Sequence, residues 1–138
     1  MNKNKFFIIS ILIIIFDQIT KLYFTNKDIN ISNFLSFSYT ENAGAAFSLF
    51  QNQRFALISI SVLVFLILFY YFRKIDNKLA LTGVSFLFGG IIGNLIDRVY
   101  FGYVRDFIDF KIWPVFNIAD TLNTIGVVLL AYYMIKNE

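Results

Sequence analysis

Three aspartates lie close together in a chain that is otherwise strongly apolar: Asp106, Asp109 and Asp120. Asp120 begins an apolar run that continues to Ile135, so we expect it where a helix enters a membrane. If that helix begins at Asn117, the segment that carries Asp106 must end near the same surface. Ionisable groups at membrane depth are costly and mark functional sites. We interpret Asp106 and Asp120 as a pair that shares one proton, because two close carboxylates do not both ionise readily.

The composition limits the chemistry that the chain can perform. Its 138 residues include no cysteine and no histidine, which excludes a disulfide, a thiol nucleophile, a Ser-His-Asp triad and most zinc sites. Acid–base chemistry near neutral pH is left to carboxylates, Lys or Tyr. The acids are too few and too widely spaced for an all-oxygen cage, so we expect neither a metal nor another cofactor.

Apolar residues make up 58% of the chain and charged residues only 15%. Most of the apolar residues fall into long runs, which is typical of membrane proteins. The net charge of +3 is small and indicates basic flanks facing the cytoplasm, not nucleic-acid binding. We therefore predict an all-α membrane protein with a single integral membrane domain over residues 1–138. The predicted membrane spans are residues 6–24, 55–72, 79–96 and 117–135.

The connection between the first two spans is long and polar. Apolar residues alternate between Phe34 and Tyr39, which predicts a short strand. The following stretch, Glu41–Phe47, is rich in small residues that allow a backbone or an extended ligand to approach closely. We expect a small extracytoplasmic β-cradle between helices 1 and 2. Asn42 and Gly44 belong either to a turn or to a substrate contact, and the residues alone leave both open.

Several polar residues occur at helical spacing inside the predicted spans. Asp17 and Lys21 are four residues apart, so they share a face and can pair within the bundle; a structural role is the simpler interpretation. Gly89 and Gly93 form a step of small residues that permits close helix packing. A third set shares one face near the end of the third span, where its members would brace the site or cap the helix: Asn94, Asp97 and Arg98. In the fourth span, one side carries Asn117, Asp120, Thr121 and Thr124.

Four spans place both termini on one side of the membrane. The basic residues divide evenly between the sides, but we expect Lys21 and Arg98 to pair with acids inside the bundle. The remaining bias, dense around the N-terminus and in the turn at residues 73–78, predicts cytoplasmic termini. Residues 25–54 and 97–116 are then extracytoplasmic, and the aspartate pair faces outward. We interpret Asp109, by contrast, as an exposed loop acid near Lys111.

Two other classes of protein remain possible on these residues alone. A small carrier or channel subunit would use intramembrane acids to carry protons or cations. Such a protein should show polar residues along a whole crossing path, whereas here the second span has almost none and the polar groups gather at one end. The other class is an inactive scaffold of the same fold, although both aspartates are present.

Five motifs follow one another along the chain: Asp17-Gln-x-Thr-Lys21, Asn42-x-Gly-x-Ala46-Phe47, Gly90-x-x-Gly-Asn94-x-x-Asp97-Arg98, Val104-x-Asp106-Phe-Ile and Phe116-Asn117-x-Ala119-Asp120. Together and in this order, they resemble the motifs of lipoprotein signal peptidase, the type II signal peptidase of bacteria. One departure is Thr121, where a serine usually follows the aspartate; threonine keeps the hydroxyl. Asn123 is an unusual polar residue in the fourth span, and the sequence assigns it no role.

The resemblance implies a four-helix aspartic protease of the bacterial inner membrane. Such an enzyme removes the signal peptide from prolipoproteins, cutting just before a cysteine that carries diacylglycerol. Asp106 and Asp120 match its catalytic aspartates. The implied partners are the lipidated prolipoprotein, membrane lipid and globomycin-like inhibitors. The remaining motif positions are expected to bind substrate or support the site: Asp17, Lys21, Asn42, Gly44, Asn94, Asp97, Arg98, Asn117 and Ala119.

Overall fold

The computed structural model describes residues 3–44 and 53–136. Four helices lie in this part of the chain, each long and apolar enough to cross a membrane: α1 (Lys3–Phe24), α2 (Arg54–Phe72), α3 (Lys78–Tyr100) and α4 (Ile118–Lys136). Three strands accompany them: β1 (Asp28–Ser32), β2 (Leu35–Asn42) and β3 (Val104–Asp109). Large apolar side chains cover the outer helix surfaces, as expected of helices that face lipid. The predicted small-residue stretch from Ala45 to Phe47 lies outside the described residues.

Helix α3 is the centre of the bundle. It packs against each of the other three helices, and it is the most buried of the four. Small residues make these close approaches possible. A side chain at Gly89 would place its Cβ only 2.5 Å from Ile13 of α1, and one at Gly93 would reach within 2.6 Å of Asp17 Oδ2. The predicted role of these two glycines in close helix packing is thereby confirmed.

Aromatic rings hold α2 to the rest of the bundle. Phe6 of α1 stacks on Phe72 of α2 with 4.6 Å between ring centroids, and it meets Phe88 of α3 edge-on at 5.0 Å. These rings belong to a buried apolar cluster near the turn between α2 and α3. In the same region, Lys3 Nζ donates to the carbonyl of Arg73 at 2.7 Å. The start of α1 therefore lies beside the α2–α3 turn.

A small sheet covers the opposite end of the bundle. Its strands are antiparallel in the order β1-β2-β3. Phe24, the last residue of α1, stacks against two rings of the sheet, with centroids 4.5 Å from Phe37 and 4.6 Å from Phe107. Such stacking fixes the sheet on the end of α1.

The origin of the third strand differs from our expectation. We placed the cradle between helices 1 and 2, and β1 and β2 do come from that connection. However, β3 comes from the connection between α3 and α4, where we predicted no strand. The sheet thus joins the two long connections, and it brings the segment that carries Asp106 beside the segment that carries Asn42.

Candidate active site

Asp106 is positioned by β3. The pairing of β2 with β3 sets Thr40 opposite Asp106 and Asn42 opposite Val104. As a result, Asn42 Nδ2 donates to Asp106 Oδ2 at 3.0 Å, while Asn42 Oδ1 accepts the backbone N–H of Gly44 at 3.0 Å. The side chain of Asp106 is almost entirely buried, with 1% of the residue surface exposed.

Asp120 is positioned by the first turn of α4. Asn117 precedes this helix and exchanges two hydrogen bonds with it: Asn117 Oδ1 accepts the N–H of Asp120 at 2.9 Å, and Asp120 Oδ2 accepts the N–H of Asn117 at 3.3 Å. This reciprocal arrangement is a capping box. The first helical turn also favours a negative charge, because its N–H groups point toward the carboxylate.

The amide of Asn117 connects the two aspartates. While Asn117 Oδ1 caps α4, its Nδ2 donates to Asp106 Oδ1 at 2.6 Å and to Asn94 Oδ1 at 3.1 Å. Asn94 in turn donates from Nδ2 to Asp120 Oδ1 at 2.8 Å. Strand β3, helix α3 and helix α4 therefore meet in one continuous hydrogen-bond network around the two carboxylates.

A buried charged layer supports this network. Lys21 Nζ contacts Asp17 Oδ2 at 2.8 Å, which confirms the predicted pairing, and it also donates to Asn94 Oδ1 at 2.9 Å. Asp17 does more than pair with Lys21, because its Oδ1 accepts the N–H of Ala119 at 2.9 Å. Asp17 thus satisfies a free donor at the start of α4 and links that helix to α1.

Our expectation that Arg98 pairs with an acid is wrong for the described part of the chain. Asp97, next to Arg98 in sequence, pairs with Arg105, with 2.8 Å between Arg105 Nη2 and Asp97 Oδ1, and also contacts Lys21 at 3.5 Å. Arg98 donates from Nη2 to the carbonyl of Gly44 at 3.1 Å. Its charge still attracts the carboxylates of Asp120 and Asp106. Arg98 therefore acts on the aspartates through its electrostatic field and on Gly44 through a hydrogen bond.

Two residues that we did not select take part in the supporting layer. Arg105 occupies the unspecified position between Val104 and Asp106 in the fourth motif. Gln18 follows Asp17, and its side chain bonds to Asp97 at 3.2 Å and to Arg105 at 2.9 Å. Helical spacing from Asp17 gave no reason to select Gln18. The signals that could have indicated it were its named place in the first motif and its polar side chain in an apolar span.

The two aspartates open onto a cavity of about 880 Å³. Its walls come from β2, α3, the first half of β3, the loop that follows β3 and the first turns of α4. Polar and apolar side chains both line it. The polar ones include Asn42, Asn94, Arg98, Asp106, Asp120 and Asn123, and the apolar ones include Trp113, Pro114, Val115, Phe116 and Ile125.

The two aspartates of β3 differ in their acidity. Burial, reinforced by the nearby charge of Asp120, raises the pKa of Asp106 to about 7. By contrast, hydrogen bonds from Lys111 lower the pKa of Asp109. Asp109 pairs with Lys111 at 2.7 Å as expected. We expected an exposed loop acid, however, and Asp109 is instead the last residue of β3, with only 15% of its side chain exposed.

Comparison with known proteins agrees with this geometry. The family model of signal peptidase II matches residues 9–136. The chain belongs to the signal peptidase II family. It is therefore a peptidase of the aspartic type, and its four apolar helices make it a multi-pass membrane protein of bacteria.

Individual relatives match over nearly their whole length. The chain is 37% identical to a lipoprotein signal peptidase of Halothermothrix orenii over 96% of both chains. It is 42% identical to one of Clostridium tetani, over 95% of this chain and 92% of the relative. A bacterial membrane enzyme solved by the in meso method has the same fold, with a TM-score of 0.91, 33% identity and coverage of 97% of this chain and 89% of the other.

Proposed function

We propose that this protein removes the signal peptide from bacterial prolipoproteins, cutting before the diacylglyceryl-modified cysteine, with Asp106 and Asp120 as its catalytic pair. The observation that carries this proposal is that Asn117 bonds to both aspartates at the wall of one cavity. The names of the relatives supply the substrate class. The remaining motif residues then act as neighbours of this pair.

The reaction is hydrolysis of one peptide bond. Asp120 accepts a proton from a water molecule, whose oxygen attacks the scissile carbonyl carbon. Asp106 donates a hydrogen bond to the carbonyl oxygen as negative charge develops there. The carbon–nitrogen bond then breaks, and the departing amine takes a proton from the pair. The products are the carboxyl end of the signal peptide and the free amino group of the lipidated cysteine.

The environments of the two aspartates support this division of roles. Asp106 is buried and has its pKa raised to about 7, so it retains a proton near neutral pH. Asp120 lies in the first turn of α4, where the helix dipole stabilises an anion, and it accepts a hydrogen bond from Asn94. Asp120 is therefore the base in the first step, and Asp106 is the acid.

We further propose that both termini are cytoplasmic and that the sheet and the aspartates face the outer side of the inner membrane. The dense basic residues near the N-terminus and in the α2–α3 turn support this orientation. The acyl chains of the substrate then stay in lipid and reach the site between helices. A globomycin-like inhibitor would occupy the same cavity.

The test is cleavage of a diacylglyceryl-modified prolipoprotein by the purified protein, followed through release of the signal peptide. Asp106→Asn and Asp120→Asn should each abolish cleavage, because asparagine keeps the shape of the side chain but cannot exchange the proton. The double variant should be hardly worse than either single variant, since the residues act as a unit. An unlipidated preprotein should be cleaved much more slowly, because acyl burial anchors the scissile bond.

Asp109→Asn is the matched control, because Asp109 lies on the same strand but is paired with Lys111. It should retain near-normal turnover per folded molecule. If Asp106→Asn or Asp120→Asn retained such turnover as well, the assignment of the catalytic pair would be wrong. Equal rates on lipidated and unlipidated substrate would contradict the role given to the lipid.

A further inference from the structure

Asn123 is a half-buried polar residue of α4 for which the site described above gives no role. Its Oδ1 is shielded from solvent and has no hydrogen-bond partner within residues 3–44 and 53–136. Asn123 also lines the cavity that contains the two aspartates. Arg98 Nε shares the lack of a partner, but Arg98 belongs to the motifs that resemble the family, whereas Asn123 does not.

The surroundings of Asn123 set it apart from the other polar residues of α4. Thr121 and Thr124 direct their hydroxyls to carbonyls of their own helix, at 3.0 Å and 2.9 Å. Asn123 instead packs its Oδ1 against Gly90 of α3, where an added Cβ would collide with it. A shielded amide oxygen without a partner is unfavourable for folding. Its presence beside the cavity points to a ligand that pairs with it.

We propose that Asn123 binds the substrate backbone, pairing with one peptide unit on the signal-peptide side of the scissile bond. This inference rests on the proposed function. Asn123 lies three residues beyond Asp120, so it is about 4.5 Å further along α4, away from the sheet. In the proposed orientation, the signal peptide reaches the site from that direction. This contact requires the side chain to turn away from Gly90, so that both amide atoms face the cavity that Asn123 lines.

The chemistry of the carboxamide selects a peptide as its partner. A substrate extended across the aspartates presents backbone N–H and C=O groups in a region where lipid supplies no hydrogen bonds. A carboxamide offers one donor group and one acceptor, so it can satisfy both groups of a peptide unit. The ester groups of the substrate lipid only accept hydrogen bonds and would leave Oδ1 unpaired. Asn123 thereby fixes the register of the chain relative to Asp106 and Asp120.

A double-mutant cycle between enzyme and substrate tests this contact. The substrate is a diacylglyceryl lipopeptide that spans the cleavage site. A series of analogues is also prepared, each with a single ester in place of one of the few peptide bonds before the scissile bond. In the wild type, one of these esters should lower kcat/KM about tenfold, as expected for one lost hydrogen bond. Asn123→Leu should lower kcat/KM on the parent peptide by a similar factor, mainly through KM, and should be insensitive to that ester.

Ser61→Ala is the control for removal of a polar group from a membrane span, because the hydroxyl of Ser61 donates within α2, to the carbonyl of Leu57 at 2.9 Å. It should show the same ester sensitivity as the wild type. If Asn123→Leu does not fold, Asn123→Ala takes its place. The inference would be overturned if the Asn123 variant had the KM of the wild type. It would also be overturned if the esters affected the Asn123 variant and the wild type equally at every position. Failure of the wild type to cleave the parent lipopeptide would contradict the proposed function instead.

Discussion

At the scale of single residues, Asp106 is subject to opposing effects. Hydrogen bonds from Asn42 and Asn117 favour its ionised form, whereas burial and the nearby charge of Asp120 favour its protonated form. The second pair of effects is larger, and the pKa of Asp106 rises to about 7. Protein stability must therefore depend on pH through this residue.

We expect the wild type to lose stability as pH rises from 5 to 8, and Asp106→Asn to lose much less. The folded state keeps the proton of Asp106 up to about pH 7, whereas the unfolded chain releases it near the ordinary value of 3.8. Between these values the folded state binds more protons, so stability falls with rising pH, by on the order of 2 kcal/mol over this range. Thermal unfolding in detergent at both pH values measures the difference.

Asp109→Asn is the control for this experiment and has the opposite sign. The pKa of Asp109 is lowered, so its contribution to stability is lost only as pH falls below the ordinary range of carboxyl groups. Between pH 5 and 8 this variant should follow the wild type. Parallel pH profiles for the wild type and Asp106→Asn would show that Asp106 is not protonated in the folded protein.

The sequence indicated which acids to examine, but it did not indicate all of their partners. Asp106 and Asp120 could be selected because carboxylates are rare in this chain and costly at membrane depth. Arg105 could not be selected as a partner of Asp97, because it is brought to Asp97 only by the path of the chain into β3. Pairing of this kind depends on tertiary structure, which helical spacing does not describe.

At the scale of elements, the helices and the strands differed in how well the sequence predicted them. Long apolar runs indicated the helices directly. Strand β3 was missed because consecutive residues are buried on both faces, from Val104 to Phe107, so no alternation of apolar and polar residues marks it. It was also missed because its polar residues, Arg105 and Asp106, face buried partners instead of solvent.

The glycines of α3 provide a prediction at this scale. Gly93→Ala should lower both the thermal stability and the turnover per folded molecule, because the new methyl group would displace Asp17, which holds Ala119 at the start of α4. Overpacking of this kind typically costs about 1–3 kcal/mol. Gly89→Ala, one turn away, meets the apolar side chain of Ile13 and should lower stability alone. Equal losses of turnover in both variants would contradict a specific role for Asp17.

Substitution of Asp17 itself tests the link between α1 and α4. The predicted Asp17–Lys21 pair suggests that Asp17→Asn leaves Lys21 without a partner, but Lys21 also contacts Asn94 at 2.9 Å and Asp97 at 3.5 Å. Asparagine can still accept the N–H of Ala119, so Asp17→Asn should cost less than Asp17→Leu, which loses both interactions and should cost about 3 kcal/mol. Thermal unfolding of the two variants provides the comparison, and equal costs would argue against the helix-capping role.

At the scale of the whole molecule, the two ends of the bundle have different constructions. The end near the α2–α3 turn is held by packed aromatic rings, and the other end carries the sheet, the buried charges and the cavity. This asymmetry suits an enzyme whose chemistry occurs at one membrane surface. The orientation of the bundle in the membrane therefore decides on which side of the membrane the reaction takes place.

The absence of cysteine from the sequence allows a direct test of orientation. Asn33 lies in the turn between β1 and β2, and Asp76 lies in the turn between α2 and α3; both are exposed. In intact cells from which any outer barrier has been removed, a membrane-impermeant maleimide should label Asn33→Cys, and it should label Asp76→Cys only after permeabilisation. The wild type, without cysteine, gives the background. The reverse pattern would place the aspartates on the cytoplasmic side.

The several bonds made by Asn117 have a consequence for drug resistance. The same side chain caps α4, holds Asp106 and contacts Asn94, so a substitution of Asn117 that moves the aspartates away from an inhibitor would also weaken folding and catalysis. An inhibitor that bonds to this network therefore leaves the bacterium few viable escape routes there. Resistance should arise instead at apolar positions of the cavity wall, such as Val115 and Ile125, where a change of shape leaves the hydrogen-bond network intact.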